Sequence, residues 1–165
     1  MGKTIQLEEL VEVPENVTVT IKQGTITVKG PLATITKKLP KAPVLYRNVT
    51  NDKKKKCIKI TMFMANRKRQ SCVISLSKFI KNMITGVTLG YEYKLRYGFN
   101  ILPARPLAIE KGAAFEISNY MGQKDTHVIK CPPGVHVRNH EDPKSKEIFV
   151  KGHDLQLVGQ MGKFS

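Results

Sequence analysis

The chain has 165 residues, 41% hydrophobic and 25% charged, which is typical of a folded protein with one domain or two small ones. Its net charge is +15, and the stretch from Val17 to Tyr91 carries the whole excess, with sixteen Lys and Arg against one acid, Asp52. A polyanion would relieve the repulsion among so many positive charges. Nucleic acid is therefore the first candidate partner, and an anionic membrane surface is the second. The plain alternative is a basic protein kept soluble by its charge.

Cysteine usage and hydropathy argue against other classes. Cys57, Cys72 and Cys131 are odd in number and far apart, which predicts reduced thiols in a cytosolic setting rather than a zinc site or a disulfide framework. The first residues lack the apolar run of a signal peptide, and no stretch approaches the roughly 18 apolar residues of a membrane span. Gln6 stands where a myristoylation signal needs Ser or Thr. We therefore expect no membrane partner.

The first predicted elements are strands. Apolar and polar residues alternate along Val17–Lys22 and again after Gln23-Gly24, which predicts a hairpin with a two-residue loop. A third strand is predicted around Ile35. A second ribbon is predicted from residue 44 to 49 and from 57 to 63, and its turn contains the lysine run 53–56.

One long helix is predicted next. Apolar residues recur there at steps of three and four, the stripe of a helix that lies on a sheet, at Val73, Leu76, Ile80, Met83 and Val87. Asn66 is the candidate N-cap and Gly90 the candidate stop. Three cations fall in the first turn, where the helix dipole disfavours them and where a bound phosphate would reverse the effect.

Strands resume after Gly90. Tyr91, Tyr93, Leu95 and Tyr97 share one face, and this aromatic row is predicted to be core rather than a base-stacking platform. A turn at Lys111-Gly112 leads into a strand over 114–120. Further short strands are predicted over 126–130, 135–138, 147–151 and 155–158.

The sequence also contains an internal repeat. A P-E-N-V-T-V segment leads to I-T-V-K-G at Ile26–Gly30, and P-G-V-H-V leads to I-F-V-K-G at Ile148–Gly152. We therefore predict an α+β protein with two tandem homologous domains, 1–90 and 91–165, each an antiparallel β-sheet. The first domain is packed by the long helix. The second has its helix shortened or missing, and we expect a neighbouring molecule to cover its sheet face.

Several pieces of the sequence resemble a known family. NMITGVTLGYEYKLR at Asn82–Arg96 is accompanied by VEVPENV with VTVTIKQGTITVKGP, by NRK at Asn66–Lys68, by EISNYMGQK at Glu116–Lys124, and by EIFVKGHDLQLVGQ at Glu147–Gln160. In this order and spacing they resemble the universal large-subunit ribosomal protein family called L-six in bacteria and archaea and L-nine in eukaryotes. The pattern is closer to the eukaryotic and archaeal branch than to the bacterial one.

The resemblance implies rRNA binding near the factor-binding side of the large subunit, by the sarcin–ricin region. It implies no catalytic residue, no cofactor, no metal and no small-molecule substrate. The implied partners are large-subunit rRNA and neighbouring ribosomal proteins. The implied location is the cytoplasmic ribosome, with nucleolar or nuclear assembly in a eukaryote. The family pattern places RNA contacts on the C-terminal domain and the charge excess favours the N-terminal one, so we expect both to touch RNA.

The candidate RNA contacts are cations, because phosphate contacts need only positive groups that reach the backbone. The lysine run at the predicted hairpin tip could follow an RNA groove, and its plain alternative is a solvated loop. The helix start combines backbone amides with arginine geometry suited to phosphate. The full predicted set is Lys53, Lys54, Lys55, Lys56, Arg67, Lys68, Arg69, Lys94, Arg96, Lys124 and Lys151.

No spacing in the sequence supports catalysis. His136 and His140 are four apart on a predicted strand and loop, without an HExxH arrangement, and are interpreted as surface or RNA-facing residues. One alternative hypothesis is a stand-alone RNA- or DNA-binding regulator that uses the same basic face. Another is an enzyme acting on RNA, which would need a catalytic group. We predict a non-catalytic, rRNA-binding structural protein of the large subunit.

Overall fold

A computed structural model of the protein describes residues 4–50, 56–96, 105–140 and 147–164. The chain divides into two compact units, Met1–Leu89 and Gly90–Ser165. Both are α+β, with antiparallel three-stranded sheets and one α-helix in the described part of each. The predicted fold class is therefore confirmed.

The described part of the first unit contains, in chain order, β1 (Thr4–Glu12), β2 (Thr18–Lys22), β3 (Thr25–Lys29), β4 (Thr34–Lys38), β5 (Leu45–Thr50), β6 (Lys56–Ala65) and α1 (Arg67–Thr88). The strands form two sheets, in the orders β1-β6-β5 and β2-β3-β4. The hairpin, the third strand and the second ribbon were all predicted and are confirmed. The first strand, β1, was not predicted.

The β2–β3 hairpin turns where the sequence predicts it. Gln23 and Gly24 have φ angles of 47° and 74°, so both loop positions are left-handed, as a tight two-residue hairpin loop requires. Val19 lies opposite Val28 and Ile21 opposite Ile26, which puts the apolar residues of both strands on one face. That face belongs to the core, since Ile26 and Val28 are fully buried.

Helix α1 covers the apolar sides of both sheets. Its predicted stripe is confirmed, because each of its five residues is at most 5% exposed: Val73, Leu76, Ile80, Met83 and Val87. Gly30 permits a close approach, since a Cβ built on it would lie 2.5 Å from Val87 Cγ2. The helix ends at Thr88, and Gly90 follows with a φ of 77°, which confirms the predicted stop.

The described part of the second unit contains β7 (Tyr91–Arg96), β8 (Arg105–Ile109), β9 (Ala114–Ser118), β10 (His127–Lys130), β11 (Val135–Asn139), β12 (Glu147–Gly152) and α2 (Leu155–Phe164). The sheet orders are β10-β9-β8 and β11-β12-β7. A turn at Glu110–Gly112 leads into β9, as predicted. Strand β8 was not predicted.

The prediction of a strand over 155–158 is wrong, because Leu155–Phe164 is a helix. Asp154 begins it by accepting a hydrogen bond from the Gln156 amide at 2.9 Å, the geometry of an N-cap. Val158 and Met161 are buried at a spacing of three, so helical periodicity decides which residues enter the core. The ten-residue α2 itself packs on β12 and β7, the sheet face that we expected a neighbouring molecule to cover.

The two copies of the repeat occupy equivalent places in their units. Each hairpin, β2–β3 or β11–β12, supplies two strands of a sheet with the second strand central. Each V-K-G glycine lies against a helix valine, because a Cβ on Gly152 would lie 2.6 Å from Val158 Cγ2, as in the contact between Gly30 and Val87. The third strand differs: β4 follows its hairpin, whereas β7 precedes its own by about 40 residues.

Candidate nucleic-acid interface

Among the predicted cations of the first unit, those that the structure describes do not form one patch. Lys53, Lys54 and Lys55 lie outside the described residues. Lys56 is exposed at the start of β6, whereas Arg67 follows the end of that ten-residue strand. At about 3.3 Å per residue, roughly 30 Å separate the two ends. Lys56 and the helix start are therefore distinct candidate sites.

The start of α1 concentrates positive charge. Arg67, Lys68 and Arg69 are all exposed, and the first turn contains no acidic residue. Asn66 takes the extended N-cap conformation, as predicted, but its side chain makes no capping hydrogen bond. Backbone amides and three cations thus meet at one helix end. This helix-start cluster is suited to a phosphate, which would gain from the charges and from the helix dipole.

Three of the four cations predicted in the second unit come together on one sheet face. The face is the outer side of the β11-β12-β7 sheet, opposite the core. Pairing across it puts His136, Lys151 and Glu92 in one row, Arg138, Phe149 and Lys94 in the next, and His140, Glu147 and Arg96 in the last. We call these nine residues the cationic face, because four Lys and Arg outnumber its two carboxylates.

Phe149 stands at the centre of the cationic face. The Arg138 guanidinium carbon lies 5.5 Å from its ring centroid and Lys94 Nζ lies 5.9 Å away, both within the range of a cation–π contact. The His140 ring stacks on it with centroids 5.8 Å apart. An apolar centre with cations around it can contact the backbone of a nucleic acid, and its aromatic ring can support a ribose or a base.

Glu147 moderates the charge of the cationic face. Its carboxylate lies 2.8 Å from Lys94 Nζ and 3.9 Å from His140 Nε2. The hydrogen bond from Lys94 lowers the pKa of Glu147, and the charges of Lys94, His140 and Arg96 add to this effect. Lys94 is thus engaged within the protein. Within the described ranges, Arg96, Arg138 and Lys151 form no salt bridge, so they are the more available phosphate ligands.

Lys124 is not part of the cationic face. It is exposed in the connection between β9 and β10, which belong to the other sheet of the unit. The neighbouring Gln123 side chain is hydrogen-bonded to His127 at 3.0 Å. Lys124 therefore remains a separate candidate contact.

The tyrosine row of β7 lies on the side of the sheet that packs on α2, but it is only partly core, since Tyr91 is half-buried and Tyr93 is 36% exposed. The ring of Tyr93 packs on α2, where a Cβ on Gly162 would lie 3.3 Å from Tyr93 Cδ2 and one on Gly159 would lie 3.7 Å from the hydroxyl. Leu95 packs against the core of the unit. Tyr97 lies outside the described residues.

Sequence reasoning missed Arg138 and Phe149 as members of this face. A signal was available, because Val135 and Val137 are buried and their alternation points His136 and Arg138 outward together. The place of Phe149 between Arg138 and Lys94 depends on the pairing of β12 with both neighbours. That pairing could not be derived from local pattern.

The described residues offer few side chains arranged for catalysis or for metal binding. No group of three or more His, Cys, Asp or Glu side chains there is placed to hold a metal ion. The three cysteines are free thiols, and burial raises the pKa of Cys131 above its ordinary value. Neither α1 nor α2 combines the length and the apolar character needed to cross a bilayer.

Comparisons with known proteins all indicate the same family. The family described as "Ribosomal protein L6" matches residues 13–90. "Large ribosomal subunit protein uL6A" of Schizosaccharomyces pombe is 37% identical over 160 residues, covering 97% of this chain and 81% of its own. "Large ribosomal subunit protein uL6" of the archaeon Ignicoccus hospitalis is 33% identical, covering 97% and 83%. uL6A of Saccharomyces cerevisiae is 36% identical, covering 96% and 81%. The chain therefore belongs to the ribosomal protein L6 family, which is structural rather than enzymatic.

Proposed function

We propose that this protein is a structural constituent of the large ribosomal subunit that binds rRNA. The observation that carries the proposal is the cationic face, in which a second unit with a net charge of only +3 gathers Arg96, Arg138 and Lys151 on one side of a sheet. Family membership supports the assignment to the large subunit, where rRNA is the predominant polyanion.

The finer parts of the proposal rest on the family resemblance. We infer that the rRNA contacted lies near the factor-binding side, by the sarcin–ricin region, and that neighbouring ribosomal proteins touch the remaining surface. The helix-start cluster, the lysine run 53–56 and Lys124 are proposed as additional phosphate contacts. In a eukaryotic cell the protein would join the subunit during nucleolar assembly and act on the cytoplasmic ribosome.

Co-sedimentation tests this function. The tagged full-length chain should migrate with large subunits through a high-salt wash, and recovery only as free protein would contradict the proposal. The triple variant Arg96→Gln, Arg138→Gln, Lys151→Gln should wash off at lower salt, because it loses about three phosphate contacts. The matched control, Lys111→Gln, Lys130→Gln, Lys163→Gln, removes the same charge from exposed positions outside the cationic face and should stay bound.

Chemical footprinting tests the location on the subunit. Protection of sarcin–ricin nucleotides in bound particles, and its loss with the triple variant, would support the inferred contact region. Protection confined to distant helices would contradict it and leave the ribosomal assignment in place. Binding to duplex DNA in preference to rRNA at matched salt would favour a stand-alone regulator instead.

A further inference from the structure

The outer face of the β2-β3-β4 sheet has an unusual composition. Its nine outward positions are all threonine or lysine, in three cross-strand rows: Thr18, Lys29 and Thr34; Thr20, Thr27 and Thr36; Lys22, Thr25 and Lys38. We call these nine residues the threonine–lysine face. Seven of them are exposed, and Thr25 and Thr27 are half-buried.

Strand propensity alone does not account for this composition. Threonine favours strands, but a solvated sheet face ordinarily mixes charges of both signs. The threonine–lysine face has no acidic, aromatic or apolar residue. Its three lysines form no salt bridge in the described part of the chain, whereas Lys59 on the neighbouring sheet binds Glu8 at 2.7 Å. The face is therefore complementary to an anion.

The internal repeat relates this face to the cationic face of the second unit. Aligning the two V-K-G hairpins puts Lys29 in the place of Lys151, Thr27 in that of Phe149 and Thr20 in that of Arg138. Both hairpins thus present a positive outer surface built on the same central lysine. The second copy adds an aromatic ring and a guanidinium, and the first copy adds hydroxyls.

The side-chain chemistry selects one kind of anion. With no ring to stack on a base and no planar amide or guanidinium to read one, the face has no group suited to an unpaired base. Hydroxyl and ammonium groups instead suit phosphate oxygens and ribose 2′-hydroxyls. Thr27 and Thr36 already exchange a hydrogen bond at 3.3 Å, which holds two hydroxyls side by side. Neighbouring residues within a row are about 4.8 Å apart, and successive rows are about 7 Å apart along the strands. This flat lattice fits a wide, shallow groove.

We propose that the threonine–lysine face docks on the sugar–phosphate backbone of an A-form RNA helix. Lys22, Lys29 and Lys38 contact phosphates, and the threonine hydroxyls contact 2′-hydroxyls across the minor groove. Recognition is by shape and backbone rather than by sequence. The inference rests on the proposed function, which it deepens by naming a second binding surface and the form of RNA that it takes.

A binding titration with the full-length protein tests the proposal. The probes are a labelled RNA duplex and the DNA duplex of the same sequence. The variant Lys22→Gln, Lys29→Gln, Lys38→Gln should bind the RNA duplex about tenfold or more weakly, with a salt slope smaller by roughly 2 to 3. The control Lys41→Gln, Lys78→Gln, Lys81→Gln removes the same charge from exposed positions of the same unit and should change affinity by less than about threefold. Equal loss in both variants would overturn the proposal.

A second variant isolates the hydroxyls. Thr20→Val, Thr27→Val, Thr36→Val keeps shape and strand propensity, so circular dichroism and thermal unfolding should match the wild type. It should lose affinity for the RNA duplex while affinity for the DNA duplex stays the same. A result in which both duplexes lose equally, or neither loses, would overturn the 2′-hydroxyl contacts. Poly-glutamate that competes as well as RNA would also overturn the proposal, since the face would then take any polyanion.

The two proposals can fail separately. A chain that co-sediments with large subunits, but whose lysine variant binds the RNA duplex like its control, keeps the ribosomal function and loses this inference. A chain that does not co-sediment loses the ribosomal function. Selective loss of duplex binding by the lysine variant would then still support docking on helical RNA.

Discussion

Among single residues, Glu147 has a central influence on the cationic face. It accepts a hydrogen bond from Lys94 and lies between that lysine and His140. An ionised carboxylate in this place neutralises one cation and repels an approaching phosphate. The same contact orients Lys94 above Phe149. We therefore expect the residue to limit RNA affinity while it stabilises the local arrangement.

Replacing Glu147 should strengthen RNA binding. In Glu147→Gln the amide keeps the shape but loses the charge, so Lys94 becomes available to a phosphate. We expect the affinity for an RNA duplex to rise by about threefold or more and the salt slope to steepen by about one. Fluorescence titration at several salt concentrations measures both. The control Glu110→Gln removes an exposed carboxylate outside the face, and an equal gain there would contradict the interpretation.

The same carboxylate should contribute to acid sensitivity. Its lowered pKa, like that of Glu8 beside Lys59, means that folding favours the ionised form. This stability is fully present above the unfolded value near 4.5 and is lost as pH falls through the lower folded pKa. The wild type should therefore lose more stability than Glu147→Gln between about pH 5 and pH 3. Urea unfolding across that range measures the difference, and parallel pH profiles would contradict the prediction.

Gly152 should tolerate no side chain. A Cβ there would lie 2.6 Å from Val158 Cγ2 and 3.2 Å from Gly134 O, so Gly152→Ala forces α2 away from its sheet. We expect a loss of about 1–3 kcal/mol in the free energy of unfolding. The double variant Gly152→Ala, Val158→Ala removes the methyl groups that the new Cβ would meet, so it should recover part of the lost free energy of unfolding. The coupling between the two substitutions should be about 0.5 kcal/mol or more. Gly134→Ala has no atom within 4 Å of its new Cβ and should show no such coupling with Val158→Ala.

Among the elements, α1 has a structural role, and we propose that its first turn also binds RNA. Its buried stripe forms the core of the first unit. Its first turn carries three cations and no acid, an arrangement that the helix dipole disfavours. The arrangement is favourable only when an anion occupies the helix end. We interpret the first turn as selected for binding at a cost in stability.

The substitution Lys68→Glu should separate these two roles. An acid in the first turn interacts favourably with the dipole, so the free energy of unfolding should rise by about 0.3–1 kcal/mol. RNA binding should weaken, because a phosphate ligand is replaced by a repelling charge. Urea unfolding and RNA titration give the two readouts. Lys81→Glu, far from the helix start, should bring no such gain in stability, and a loss of stability in Lys68→Glu would contradict the argument.

For the whole molecule, the distribution of charge along the chain differs from its distribution in space. The second unit carries a net charge of only +3, with 11 Lys and Arg against 8 acids, and its cationic face holds four of those Lys and Arg against two of the carboxylates. The first unit carries +12 of the total charge of +15 and presents a sheet face of threonine and lysine. Each unit by itself therefore offers a surface for a polyanion.

Binding by several such surfaces should be strongly salt-dependent. If about six to eight phosphates are engaged, log K should fall with log salt concentration at a slope of roughly −4 to −7. Titration of the full-length chain with large-subunit rRNA between low and physiological salt measures this slope. A slope near −1 would mean that one or two contacts suffice and would contradict the use of both units.

The parts of the fold that depend on near neighbours could be predicted from residue order. The β2–β3 hairpin follows from alternation around Gln23-Gly24, and α1 follows from apolar residues at steps of three and four. The duplication of the V-K-G hairpin and the family resemblance were equally visible, because they are properties of residue order.

Features that depend on distant partners could be seen only in the folded chain. Strand β1 has adjacent Leu10-Val11 and no clean alternation, and it is a strand because Leu7 and Val11 pair with Met62 and Ile58 of β6. The segment after Asp154 alternates like a strand over the three residues 155–157 but becomes α2, since Val158 and Met161 fill the core. The cationic face needs β7 and β12, about 50 residues apart, to pair in one register. Local periodicity carries no information on such pairings, so the face emerges only when the core selects them.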